Sequence, residues 1–525
     1  MKRNFKNLYF ILIYSLCIGL IITSAIFVFN FYKLPTDSGY HYTVSKQIIQ
    51  NKKFIFWDSW SYGGSLNPYT PLFHILTALF YNLSYKDLYI STQLLVLFAY
   101  IFFFLMIFIM MKKFYDFTTA IFSMLLLGLS SLWIKFSYGK YPQIFATLLI
   151  PFFLVYFVDF LKTKNKKNLL FSSFFFSNIV LFHHLTGFLI AISSFLICIL
   201  FLIKDRGIIK HLILFGLIST ILILPWFSHS VIYHITTLSS QIQENDLSLY
   251  RVESNLNNIF SVKSDIHLPI LIFIFGLLSL FFLIKKFKTK DNKIFFVLFI
   301  TPLLISLSIF FNIPFQNYRF LIFASFFLVL ISSLYLNHFF KKISNSTKCI
   351  LIFLLVIFVI LSFSDRINYL STIAYTKPLN EYSFIKELES SSKYVPIENI
   401  VINDGYTKLA WWVPGAMERK TFLVGRKLSY LGTPIYSKIL VGQEVLESSN
   451  LSFLEPIINN YGNLYIIIPK KIIPRITFNF DWTFEPNYTK FYLFNQEKIK
   501  SSIIYNGTAF DIAVISKDEK NNFSN

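Results

Sequence analysis

An acid followed four residues later by a histidine opens the polar part of this chain: Asp37 and His41, within Pro35-Thr36-Asp37-Ser38-Gly39-Tyr40-His41-Tyr42. A carboxylate can take the proton from a hydroxyl or amide as it attacks an electrophilic carbon. On a helix, residues four apart share a face, so His41 would orient such a base or touch the acceptor. Asp is equally a preferred helix cap, and a histidine there can be a plain interfacial one. Asp58, between Trp57 and Trp60, is a second acid, read more readily as a surface acid in a tryptophan-rich loop. Arg319, in Asn317-Tyr318-Arg319-Phe320, has the planar fork that grips phosphate oxygens two at a time. The competing role is an arginine that snorkels and anchors a helix end. Lys140, in Ser137-Tyr138-Gly139-Lys140-Tyr141-Pro142, is a second phosphate-binding candidate on weaker grounds, with Tyr141 beside it. His183 and His184 are adjacent, and neighbours on a helix point about 100° apart, which suits them poorly to one metal ion.

These residues need a frame, and the composition says which kind. The chain has 525 residues, 55% hydrophobic, 19% aromatic and only 14% charged. That excludes a water-soluble globule of this size and describes a polytopic α-helical membrane protein. Apolar runs long enough to cross the hydrocarbon core fall at roughly 8–30, 88–111, 117–133, 142–161, 169–183, 186–203, 208–228, 268–284, 294–311, 319–340 and 347–364. The first is read as an uncleaved span, since no small-residue cleavage site follows it. Pro71–Leu83 is apolar but too short to span, and is expected to be an interfacial helix inside the first outer loop.

With the N-terminus inside, twenty lysines and arginines lie in the short inner segments, against ten in the longer outer ones. The net charge of +21 is therefore topological, and no nucleic acid is expected as a partner. Asp37, His41, Lys140, Tyr141, His183, His184 and Arg319 then all fall on the outer face. The three cysteines, Cys17, Cys198 and Cys349, sit in apolar runs and imply no disulfide framework. From about 366 the pattern changes to a mixed helix-and-strand tail: Ser383–Leu388 reads as an amphipathic helix, and Asn399–Gly405 and Leu464–Pro469 as strands.

An acid where a first membrane helix ends, followed by a long aromatic outer loop, resembles the GT-C superfamily of integral-membrane glycosyltransferases. The Tyr318-Arg319-Phe320 start of a late span and the His184-Leu185-Thr186-Gly187 turn are similar to features of that family. The likeness extends, distantly, to oligosaccharyltransferase catalytic subunits, protein O-mannosyltransferases and aminoarabinose transferases. It implies a GT-C-like transmembrane domain over 1–365, with about eleven transmembrane helices and a first outer loop at about 31–87. An extracytoplasmic soluble α/β domain would follow over 366–525. It also implies a hexosyl- or pentosyl-transferase in the plasma membrane, with the N-terminus cytoplasmic. The donor would be a polyprenyl-phosphate sugar and the acceptor a lipid, glycan or protein. In the inverting displacement so implied, Asp37 is the base, Arg319 and Lys140 hold the donor phosphate, and Asp58, Tyr141, His183 and His184 line the pocket.

The chain also departs from that family. Oligosaccharyltransferases hold a divalent metal with an acidic pair in the second outer loop, and here Trp133–Tyr141 contains no Asp or Glu. No cofactor is expected; a divalent metal stays open but is not required. Trp411-Trp412 is followed by Val413-Pro414, which breaks the match to their Trp-Trp-Asp-Tyr-Gly motif. The rival reading is a non-enzymatic polyprenyl-lipid or polysaccharide transporter or binding protein of related fold. Transporters place ionisable residues near the bilayer midplane, whereas these span centres are nearly free of charge.

Overall fold

A computed structural model describes residues 38–58, 65–66, 70–84, 86–130, 141–203, 205–241, 270–285, 289–307, 317–348, 381–402, 412–422, 462–469 and 502–515, with a few isolated residues between. Asp37, Lys140 and all of the apolar run 8–30 except Gly19 lie outside the described residues, as does most of 347–364.

Helix α1, Ser38–Asn51, follows Asp37 directly, and a short antiparallel ribbon, β1 Trp57–Asp58 with β2 Ser65–Leu66, comes after it. Pro71–Leu83 contains helix α2, Leu72–Tyr81. It does more than lie on a surface: Phe73, His74 and Thr77 turn inward and are buried, while Leu79 is exposed. Spacing explains this, because positions 73, 74 and 77 share one helical face.

The bundle proper comprises α3 Leu88–Phe114, α4 Phe117–Leu129, α5 Tyr141–Thr163, α6 Lys166–Phe182, α7 His184–Leu202, α8 Ile209–Gln241, α9 Ile270–Lys285, α10 Lys290–Leu307 and α11 Asn317–Lys342. The starts are signalled locally. Asp87 accepts the Ile90 N–H at 3.0 Å, Asp116 the Thr119 N–H at 2.8 Å and Asn165 the Lys167 N–H at 2.8 Å. By length and composition, five described stretches can cross a membrane: Leu88–Phe114, Tyr141–Thr163, His184–Leu202, Arg206–Ser228 and Arg319–Lys342.

On α3, Phe98, Ile101, Phe102, Leu105 and Ile109 are exposed at helical spacing, while Val96, Ala99, Phe103, Ile107 and Met110 are buried. An open apolar stripe backed by a packed apolar stripe suits hydrocarbon on its outer side, and would be a liability in water. One end of the bundle is closed by ion pairs between helix ends: Lys113 with Asp159, Lys162 with Asp291 (3.0 Å), Lys164 with Asp205 (2.6 Å) and Lys341 with Asp116 (2.7 Å). Asp205 is solvent-exposed, so its pair is a surface contact of small worth. The opposite end carries a different set of residues, described below.

The tail supplies α12 Glu381–Ser391, β3 Ile400–Ile402, α13 Trp412–Met417, β4 Lys420–Phe422, β5 Leu464–Pro469, β6 Ile503–Asn506 and β7 Phe510–Ile515. The strands form one sheet in the order β4-β3-β5-β7-β6. β3 is parallel to β4 and β5, and β7 is antiparallel to β5 and β6. Strand β5 is buried from Leu464 to Ile468, as a central strand covered on both faces should be. The sheet and α12 share an apolar cluster with α1 and the start of α3: Tyr42 and Leu88 pack with Phe384, Trp412, Met417 and Phe510. Gly415 permits this, since a Cβ there would lie 2.5 Å from Thr43 Oγ1 and 2.8 Å from Thr43 Cα.

Candidate active site at one end of the bundle

The end opposite the ion pairs holds the start of α3, the start of α5, the α6–α7 junction and the start of α11, because these helices alternate in direction. Helices α1 and α2 sit across it, packing on each other and on α3, and α2 also on α5 and α6.

His41 is fully buried on α1, and its Nδ1 lies 3.0 Å from Nε2 of the equally buried His74 on α2. His74 Nδ1 in turn faces the Thr70 carbonyl oxygen at 3.2 Å. Burial, and then the neighbouring His41, hold His74 well below the usual histidine range, with the Thr70 carbonyl opposing them. Tyr141 closes the cluster from α5: its ring centroid is 6.2 Å from His41 and 5.8 Å from Phe73.

Thr70 carries the connection onward, donating its hydroxyl to the Phe182 carbonyl at 2.6 Å. The next residue, His183, is buried and caps α7, its Nδ1 accepting the Thr186 N–H at 3.2 Å. Its Nε2 lies 3.4 Å from Nη1 of the half-buried Arg319 at the start of α11. His184 is exposed, stacked between His183 (5.6 Å) and Trp226 (6.4 Å).

Thus His41, Tyr141, His183 and Arg319, spread over 279 residue positions (319 − 41 + 1), are brought to one end of the bundle. Asp58 sits on β1, opposite Ser65 in the ribbon. His74 and Thr70 join the cluster without having been singled out in sequence. The available signal was a lone histidine in an apolar run, one helical turn after a threonine. A buried polar side chain needs a partner, but sequence alone does not say which.

Chemically, the arrangement joins a guanidinium able to neutralise an anion with imidazoles able to accept or relay a proton. Among the described residues, no three His, Cys, Asp or Glu side chains are grouped to hold a metal ion.

A second polar array lies beside α1. Lys386 on α12 pairs with Asp87 (3.1 Å) and Glu389 (2.9 Å), Lys46 with Glu418 (2.8 Å) and Glu389 (3.6 Å). Tyr42 donates its hydroxyl to Glu389 at 2.7 Å, and Tyr382 donates to Asp87 at 3.0 Å. Burial, followed by Glu389, pushes the Tyr42 phenol well above its usual range. This array fastens the tail to α1 and to the start of α3.

No protein-family model matches the sequence, and no curated protein is similar to it in sequence. Solved structures are similar in backbone. One is the archaeal oligosaccharyltransferase AglB from Archaeoglobus fulgidus, in complex with an inhibitory peptide and a dolichol-phosphate. It has a TM-score of 0.56 and 12% identity, over 86% of this chain and 69% of that one. Another is ArnT from Cupriavidus metallidurans bound to undecaprenyl phosphate, with a TM-score of 0.55 and 11% identity, over 95% of this chain and 97% of that one. The same ArnT in the apo state gives a TM-score of 0.55 at 9% identity. The fold is GT-C-like.

Proposed function

We propose that this chain of GT-C-like fold is a membrane glycosyltransferase that moves a sugar from a polyprenyl-phosphate carrier to an acceptor at the His41–Arg319 end of the bundle. The observation that carries this reading is the meeting there of His41, Tyr141, His183 and Arg319 from four distant segments. The lipid phosphates bound in the AglB and ArnT structures support the donor class. In this reading the end lies on the outer face of the plasma membrane, with the tail of residues 366–525 outside the cell as an α/β domain.

Arg319 would hold the lipid phosphate, the group that gains negative charge as the sugar leaves, with Lys140 as a second cation. A guanidinium neutralises that charge with two parallel hydrogen bonds. Asp37 would take the acceptor's proton while the acceptor attacks the anomeric carbon from the face opposite the phosphate, so that the configuration inverts. Tyr141, His183, His184 and Asp58 would line the sugar pocket. No step is assigned to a metal ion, and the acceptor is a lipid, glycan or protein hydroxyl or amide.

Asp37→Asn tests the reading, because Asn caps a helix about as well but cannot accept a proton. Turnover in membranes supplied with polyprenyl-phosphate sugars should fall by about 10²–10⁴-fold. A variant that transfers at the wild-type rate removes Asp37 from the chemistry.

A further inference from the structure

His41 and His74 are 33 residues apart in sequence and form a buried, directly bonded imidazole pair. Two such rings can share a hydrogen bond in only one sense at a time, and the surrounding groups decide which. A carbonyl oxygen can only accept. The His74 nitrogen facing the Thr70 carbonyl at 3.2 Å, Nδ1, therefore carries a proton. His74 is buried and held well below the usual histidine range, first by that burial and next by His41, so it is neutral around pH 7. A neutral ring protonated on Nδ1 keeps its lone pair on Nε2, and that lone pair is what His41 Nδ1 meets at 3.0 Å. The proton between the rings thus belongs to His41 Nδ1, and a neutral His41 has its own lone pair on Nε2.

We propose that His74 is a positioning residue that fixes His41 in the tautomer with a basic Nε2, and so makes His41 the final proton acceptor of the transfer. The proposal rests on the glycosyltransferase reading of this site and names a step within it. The acceptor oxygen or nitrogen forms its bond to the anomeric carbon as the bond from that carbon to the phosphate oxygen breaks. The bonding pair leaves on the phosphate. The acceptor's proton ends on His41 Nε2. The resulting imidazolium is stabilised because its Nδ1–H points at the His74 lone pair, a charge-assisted bond.

The groups around the pair fit this role. His41 meets Phe73 and His74 from α2 and Tyr141 from α5, with Tyr40 of its own helix edge-on at 5.7 Å. The carboxylates on the other elements packed against α1 have cations of their own. Asp87, before α3, is paired with Lys386, and Glu418, after α13, is paired with Lys46. Lys46, on α1 itself, also pairs with Glu389 of α12. Asp37 stands four positions before His41 in sequence.

Two substitutions separate positioning from packing. His74→Gln places a carbonyl oxygen where Nε2 stood and keeps an acceptor for His41, while His74→Met fills similar space without a strong acceptor. The direct readout is ¹⁵N NMR of histidine-labelled full-length protein, with the His41 signals assigned through His41→Gln. His41 should be the Nδ1–H tautomer in wild type and in His74→Gln, and should revert towards the Nε2–H form in His74→Met. With polyprenyl-phosphate-linked mannose and glucose as donors, His74→Met should lower kcat by about 10- to 100-fold, the worth of a hydrogen bond to a charged group. KM for the donor should hold, the acid limb of the pH profile should move down by about one to two units, and His74→Gln should recover most of the rate.

An Nε2–H His41 in the wild type overturns the proposal, as does a His74→Gln variant no better than His74→Met. If Asp37→Asn loses turnover while both His74 variants keep the wild-type rate and pH profile, this inference alone falls. If Asp37→Asn is fully active, the underlying reading falls.

Discussion

Gly415→Ala should loosen the tail from α1 and lower stability without touching any residue proposed to contact substrate. The added Cβ would stand 2.8 Å from Thr43 Cα, 2.5 Å from Thr43 Oγ1 and 3.0 Å from Tyr42 Cδ1. Ordinary contact begins near 3.4 Å, so α13 and α1 must separate by at least 0.6 Å (3.4 − 2.8) along that line. A rotation of the Thr43 side chain can relieve the Oγ1 contact, but the Cα is backbone and cannot step aside. Overpacking of this kind costs roughly 1–3 kcal/mol. The same shift would disturb the tilted ring contact of Tyr42 with Trp412 (5.3 Å) and the Tyr42–Glu389 hydrogen bond (2.7 Å). The assay is thermal unfolding of the purified protein in one detergent, beside Gly216→Ala, where the new methyl meets nothing within 4 Å. Gly415→Ala should unfold several degrees earlier and be cut sooner by protease in the tail, while Gly216→Ala should match or exceed wild type. Equal behaviour of the two variants would refute the close approach of α13 to α1.

Two further outcomes are expected. Asp87 is held below the usual carboxylate range: burial raises its pKa, but the Ile90 N–H, Lys386 and Tyr382 together outweigh that. A depressed carboxylate contributes stability that is present above its unfolded pKa of about 3.9 and lost as pH falls through the folded value. Acid unfolding of the wild type should therefore show a loss in that window that Asp87→Asn largely lacks, which tryptophan fluorescence against pH would follow. Arg319→Lys keeps the charge and loses the fork. It should weaken use of the lipid-phosphate donor by about tenfold or more, with the protein still inserted and melting as wild type, as steady-state kinetics and unfolding together would show.

Much of the frame was legible in the chain because bilayers impose strong rules on length and charge. A ten-residue helix inside Pro71–Leu83 followed from a run too short to cross, and β5 followed from a continuous apolar segment ending in proline. His41 was singled out by its spacing from Asp37, and Arg319 by its place at the head of a span. His74 was not legible as a partner. Its importance comes from His41 being folded against it, a contact set by the packing of α1 on α2 rather than by local pattern. The fastening of the tail was hidden for the same reason. Gly415 approaches Thr43 across 372 positions (415 − 43), and Lys46, Asp87, Glu389 and Glu418 look like ordinary surface charges until α12 and α13 are placed beside them. Pairing of that kind is a property of tertiary structure, since long-range contacts leave no periodic signature in one sequence.

The central claim is that this bundle cleaves the bond between a sugar and a polyprenyl phosphate. It is tested most directly by purifying the full-length protein and measuring free polyprenyl phosphate released from a panel of polyprenyl-phosphate sugars, in the presence of membrane extract as the acceptor source. The account predicts that at least one donor is consumed, with the sugar recovered on an acceptor in inverted configuration, and that Asp37→Asn abolishes nearly all of the release. Binding of the lipid-linked sugars without release of phosphate from any of them, by wild type and variant alike, would contradict it.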